Sequence, residues 1–84
     1  MIMARISCDN LERSSNDSPH VHKPAVANYT VFSKNGKDFF QLNNLGTSGT
    51  DSKQIIQFSR DDAVKLAKII IRELNISESE LEEY

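Results

Sequence analysis

The run Tyr29-Thr30-Val31-Phe32-Ser33-Lys34-Asn35-Gly36-Lys37-Asp38-Phe39-Phe40-Gln41-Leu42 decides the fold. β-Branched and aromatic residues lie on both sides of Asn35-Gly36, the residue pair that best tolerates positive φ at both central positions of a type I′ turn. With these two as the loop, the register follows by counting outward. Lys34 opposes Lys37, Ser33 opposes Asp38, Phe32 opposes Phe39, Val31 opposes Phe40, Thr30 opposes Gln41 and Tyr29 opposes Leu42. Cross-strand partners share a face. The hairpin therefore separates into one surface of Tyr29, Val31, Phe40 and Leu42 and a second of Thr30, Phe32, Phe39 and Gln41.

Downstream, Gly46, Thr47, Ser48 and Gly49 open a polar loop over residues 46–52, as glycine-punctuated polar runs do. Residues 53–58 read as a third strand, with Gln54, Ile56 and Phe58 on one side and Ile55 and Gln57 on the other. A helix follows. Ser59 is a good N-cap, Asp62 stands where a capping box has Glu, and Asp61 and Asp62 complement the positive end of the helix dipole. Ala63, Leu66, Ala67, Ile70, Ile71 and Leu74 recur at helical spacing, which carries the helix to about Asn75. Such a stripe must be buried, and the more apolar hairpin surface, joined by Ile56 and Phe58, is the face expected to receive it.

Upstream, residues 1–24 are rich in Ser, Asn and Asp, carry Pro19 and Pro24, and lack periodicity. They read as a flexible N-terminal arm. Residues 77–84 hold Glu78, Glu80, Glu82 and Glu83 and read as a frayed acidic tail, although Ser77 and Glu80 are suited to cap one short turn. The expected fold is thus α+β, with a folded unit over residues 25–76. It is a three-stranded antiparallel meander followed by one C-terminal amphipathic helix packed on one face, in the order βββα.

Composition narrows the function. With 84 residues, of which 38% are hydrophobic and 26% charged, the chain buries only roughly 60% of its unfolded surface, too little for an enzyme with a deep cofactor cleft. No catalytic residue and no cofactor is expected. The single cysteine, Cys8, excludes an internal disulfide. His20 and His22 have a chelating spacing but lack the further ligands a structural metal needs, so no metal is expected either. The loop around Gly46 lacks the lysine and the following helix of a phosphate-binding loop. The longest apolar run is Ile69-Ile70-Ile71, against the ~20 residues of a membrane span, and residues 1–6 lack the apolar core of a signal peptide. The expected setting is cytoplasmic, without membrane association. So small a core is also commonly completed by a second copy, so a homodimer is expected.

The second hairpin surface is the candidate site. Thr30, Phe32, Phe39, Gln41 and Ile55 have no further element to cover them, with Asn28, Asn43 and Gln57 as a polar frame, and apolar centres with polar rims mark interfaces. Two arrangements would remove this surface: the arm folding over it, or a one-residue slip of the register. The function expected is that of a small non-enzymatic interaction or regulatory protein binding a macromolecular partner or itself. Accessory inhibitors of phages and mobile elements are an analogy for it. The alternative is single-stranded nucleic acid, with bases stacked on the exposed rings and phosphates or an acidic partner held by Lys34, Lys37 and Lys53, or by the helical stripe Lys65, Lys68 and Arg72. The net charge of −2 weighs against nucleic acid. It is unevenly spread, however: residues 77–84 contribute four acidic side chains, whereas residues 25–76 hold seven basic and five acidic ones.

Overall fold

The computed structural model describes residues 2–15, 19–46 and 54–83. Four strands, β1 (Ile2–Arg5), β2 (Ala27–Lys34), β3 (Lys37–Asn44) and β4 (Gln54–Ser59), are followed by helices α1 (Arg60–Glu73) and α2 (Glu78–Glu82). They form one mixed sheet in the order β1-β4-β3-β2. The α+β class is as expected, but the three-stranded meander is not complete. Inside the stretch read as a flexible arm, Ile2–Arg5 adds a fourth strand parallel to β4, pairing Met3 with Ile55 and Arg5 with Gln57. The Ile6 N–H extends that ladder to the Gln57 carbonyl at 3.0 Å.

The hairpin forms in the register read from its turn, from Lys34 opposite Lys37 to Tyr29 opposite Leu42. Asn35 and Gly36 take φ of 53° and 75°, the left-handed pair that a type I′ turn requires. No one-residue slip occurs. β3 pairs antiparallel with β4, with Phe40 opposite Phe58 and Leu42 opposite Ile56. These residues accordingly share a face with Tyr29 and Val31.

Helix α1 starts where its cap dictates. Ser59 Oγ accepts from the Asp62 N–H at 3.2 Å and donates to Asp62 Oδ2 at 2.8 Å. It stops at Leu74 because Asn75 turns left-handed, with φ 53°. The Asn75 N–H donates to the Arg72 carbonyl at 3.3 Å and the Ile76 N–H to the Ile71 carbonyl at 3.0 Å, the pairing of a Schellman motif with Asn in the glycine position. The acidic tail is ordered rather than frayed through α2, where Ser77 and Glu80 form a reciprocal capping box.

The helix lies on the expected face but covers less of it. It meets β3 and β4 and not β2; Ala63 borders an open depression of about 330 Å³ with Val31 and Phe40. Beneath it Phe58 is 7% exposed, whereas Tyr29 and Val31, expected in the core, remain 68% and 66% exposed and Leu42 is also exposed. One helix is about 10 Å wide and spans two strands spaced about 4.8 Å apart, so β2 projects beyond it. The buried line of α1 is rotated as well. Ala63, Leu66 and Ile69 are half-buried, while Ala67, Ile70, Ile71 and Leu74 from the expected stripe are exposed.

The reason is the segment after β1, which occupies one flank of the helix. Cys8 is 5% exposed, and its N–H donates to Asp62 Oδ1 at 3.0 Å. Asp9 pairs with Lys65, Arg13 with Glu73 at 3.8 Å, and Leu11 shares a depression with Ile69 and Leu74. α1 thus divides its apolar surface between sheet and strap.

Candidate functional site

The sheet face opposite α1 carries Thr30, Phe32, Phe39, Gln41 and Ile55, the residues expected to form the interaction surface. Pleating places them there: each alternates with a residue of the helix-bearing face in the observed register. Phe32 and Phe39 are half-buried and stack with centroids 5.3 Å apart at 17°, a geometry worth about 0.5–1.5 kcal/mol beyond area burial. Thr30 is exposed and Ile55 half-buried. Among the described residues no helix or strand packs over this face, and residues 19–26 are exposed.

Between the rings and Ile55 runs a row of carboxamides. Gln57 Nε2 donates to Gln41 Oε1, Gln41 Nε2 to Asn43 Oδ1, and Asn43 Nδ2 to Asn28 Oδ1, each at 2.7 Å. The row crosses three strands and aligns its dipoles in one direction, so that each bond polarises the next. It leaves a carbonyl acceptor at the Gln57 end and an amide N–H donor at the Asn28 end. Such a row pre-orients donors and acceptors for another polar chain without ordering cost at the moment of binding.

The fourth strand adds residues to this face that the sequence did not disclose. Met3, in register with Ile55, is exposed and extends the apolar spot at the β1–β4 corner. Arg5, in register with Gln57, lines a depression of about 330 Å³ together with Lys37, Phe39, Ser59 and Asp62. Periodicity had no means to find them: four residues are too short a sample, and their partner strand lies some fifty positions away.

The candidate cations divide between the two sides of the sheet. Lys34 and Lys37 are cross-strand partners at the hairpin tip, with the parity of Phe32 and Phe39. Lys65, Lys68 and Arg72 sit on α1, across the sheet. Lys65 is engaged by Asp9, whose hydrogen bond raises the lysine above its ordinary value, and Arg72 lies 3.4 Å from its neighbour Glu73. Only Lys68 of this stripe is exposed and has no ion-pair partner among the described residues. The two groups therefore do not converge on one ligand. Lys53 and the loop residues 47–52 lie outside the described residues.

Elsewhere, His20 and His22 are exposed, and no group of three or more His, Cys, Asp or Glu side chains among the described residues is arranged to hold a metal ion. Among those residues, too, no helix is long and apolar enough to cross a membrane. The chain matches no known family model, curated protein or solved structure with which it was compared.

Proposed function

We propose that this chain is a small non-enzymatic interaction or regulatory protein, acting in the cytoplasm, that binds a macromolecular partner through the face of Thr30, Phe32, Phe39, Gln41 and Ile55. The observation that carries the reading is the stacked Phe32–Phe39 pair set beside an unbroken row of four carboxamides on a face over which no element of the described residues packs. Apolar rings supply affinity when they leave water, and oriented amides supply specificity, since a partner that leaves them unpaired loses affinity. An accessory inhibitor of a phage or mobile element is one kind of protein with these properties, by analogy of size and surface.

The test is to compare wild type with Phe32→Ser/Phe39→Ser in affinity capture followed by cross-linking, with circular dichroism to establish that the variant is folded. The proposal expects a protein partner cross-linked to residues of this face and lost in the folded variant. Capture that is undiminished in the folded variant overturns it.

One observation favours a second reading, single-stranded nucleic acid: Arg5 and Lys37 converge beside Phe39, so that two cations flank a ring on which a base can stack. It expects retention of an oligothymidine at low salt that falls steeply as salt rises. No retention at low salt ends it.

A further inference from the structure

Among the described residues no strand pairs with the outer edge of β2, and that edge is unusual for a free one. Natural proteins blunt such edges with short strands, prolines, bulges or inward charges. β2 has eight residues, Ala27–Lys34, no proline, and a single charge at its end. Its outward backbone groups can be identified. The Leu45 N–H donates to the Val26 carbonyl at 2.8 Å and the Val26 N–H donates to the Gly46 carbonyl at 2.9 Å, so Val26 turns both its backbone groups toward the β3 side, and residues that do so alternate along an antiparallel ladder. Asn28, Thr30, Phe32 and Lys34 therefore turn their N–H and C=O groups to β3, whereas Ala27, Tyr29, Val31 and Ser33 turn theirs away from it. Tyr29 and Val31 are also large apolar residues left exposed, at 68% and 66%, on the sheet's helix-bearing face.

We propose that this edge is completed by the same edge of a second copy, giving an antiparallel β2–β2 pair about a two-fold axis at Thr30. That register uses all four outward residues. It lays Ala27 against Ser33 and Tyr29 against Val31 of the second copy, so that an aromatic meets a β-branched residue on one face. Thr30 meets its own copy on the other face, and Lys34 lies opposite Val26 rather than opposite a like charge. The surface of the single chain argues for a copy of itself. Its accessible area is 7414 Å², against roughly 5,000 Å² for a compact protein of its mass. The excess of roughly 2,400 Å² is spread over the chain, the exposed residues 9–15 and 19–26 included, and is larger than the ~800 Å² each partner gives to a standard interface. Among the described residues only Cys8 and Phe58 are buried apolar residues, so covering Tyr29 and Val31 at an interface adds substantially to a small core. The two-fold runs perpendicular to the sheet. An eight-stranded sheet results, with both helices on one side and both Phe32–Phe39 faces free on the other. The proposal does not rest on the partner reading given above.

The experiment is sedimentation equilibrium of the full chain from about 1 to about 300 µM, a range suited to micromolar association, on wild type, Val31→Pro, Val31→Thr and Phe32→Ser/Phe39→Ser. Proline at position 31 removes an outward N–H and leaves the β2–β3 bonds intact, as prolines on edge strands do. A reversible dimer is expected that Val31→Pro weakens at least about tenfold, the order of effect expected when a symmetric pair loses two ladder bonds, and that Val31→Thr and the double variant retain. Amide exchange on wild type supplies a measurement independent of any variant's folding. The N–H groups of Tyr29, Val31 and Ser33 gain protection as concentration rises, while those of Thr30 and Phe32 are protected throughout. A monomer over the whole range overturns the proposal. So does a dimer that leaves those three amides unprotected, or one that the Phe variant abolishes and Val31→Pro does not.

Discussion

The backbone N–H of Cys8 donates to Asp62 Oδ1 at 3.0 Å, joining the segment after the first strand to the first turn of α1 across 54 positions of sequence. The same carboxylate accepts from the Ser59 hydroxyl at 2.8 Å. One side chain thus both supports the helix cap and anchors the N-terminal strap, and a single substitution tests both.

Asp62→Ala is expected to loosen the strap more than the helix, because Ser59 keeps its cap position while Cys8 loses its acceptor. The buried Cys8 thiol then reacts faster with a disulfide reagent than in wild type, and its amide loses protection. An unchanged thiol reaction rate would show that the strap is held by its other contacts, Leu11 against α1 and the Asp9–Lys65 and Arg13–Glu73 pairs.

Acid should act at the same place. The Cys8 N–H and then the Ser59 hydroxyl hold the Asp62 carboxyl below its usual range, with Lys65 and Arg5 adding smaller attractions. A carboxylate whose folded pKa is depressed stabilises the fold above its unfolded pKa and loses that contribution as pH falls through the folded value. Stability measured by urea titration should therefore begin to fall below about pH 4, and Asp62→Asn should flatten that part of the profile.

Phe58→Ala removes an aromatic side chain buried beneath the helix, 7% exposed in the structure. Large-to-small changes at such sites cost about 3–5 kcal/mol, much of what a domain this small possesses. The variant is expected to be unfolded or nearly so at 25 °C by circular dichroism. Phe32→Ala, on the open face, should remain folded.

Gly36→Ala meets no atom within 4 Å, so its cost is that of the backbone alone at φ +75°. A side chain in the left-handed region costs about 1–2 kcal/mol. The free energy of unfolding is expected to drop by that amount while amide exchange still reports the same hairpin register.

Gln41→Ala cuts the carboxamide row at its centre, breaking the bonds to Gln57 and Asn43. On a half-exposed face each lost bond is worth about 1 kcal/mol or less, so the fold should persist. The proposed partner, by contrast, should bind measurably more weakly in a direct titration.

Short-range chemistry was legible in the residues. Asn35-Gly36 permits one turn, a two-residue loop permits one register, and every facing pair from Lys34–Lys37 to Tyr29–Leu42 follows. Ser59 and Asp62 likewise mark the start of α1 without any tertiary information. The two sheet faces, and hence the candidate site of Thr30, Phe32, Phe39, Gln41 and Ile55, are consequences of those local facts plus the period of two.

What local chemistry leaves open is which strand lies at an edge and how far a helix reaches. Ile2–Arg5 becomes a strand only because β4 presents a free ladder, and a parallel pairing between positions 3 and 55 has no signature in four residues. That addition brings Met3 and Arg5 to the open face. It also sends the strap along α1, and the strap takes the flank of Ile69 that the apolar stripe did not reserve for it. The helix sits over β3 and β4, and Tyr29 and Val31, with every local mark of core residues, stay in water. Hydrophobic pattern records which side chains favour burial; only the packing of finite-width elements decides which of them are covered.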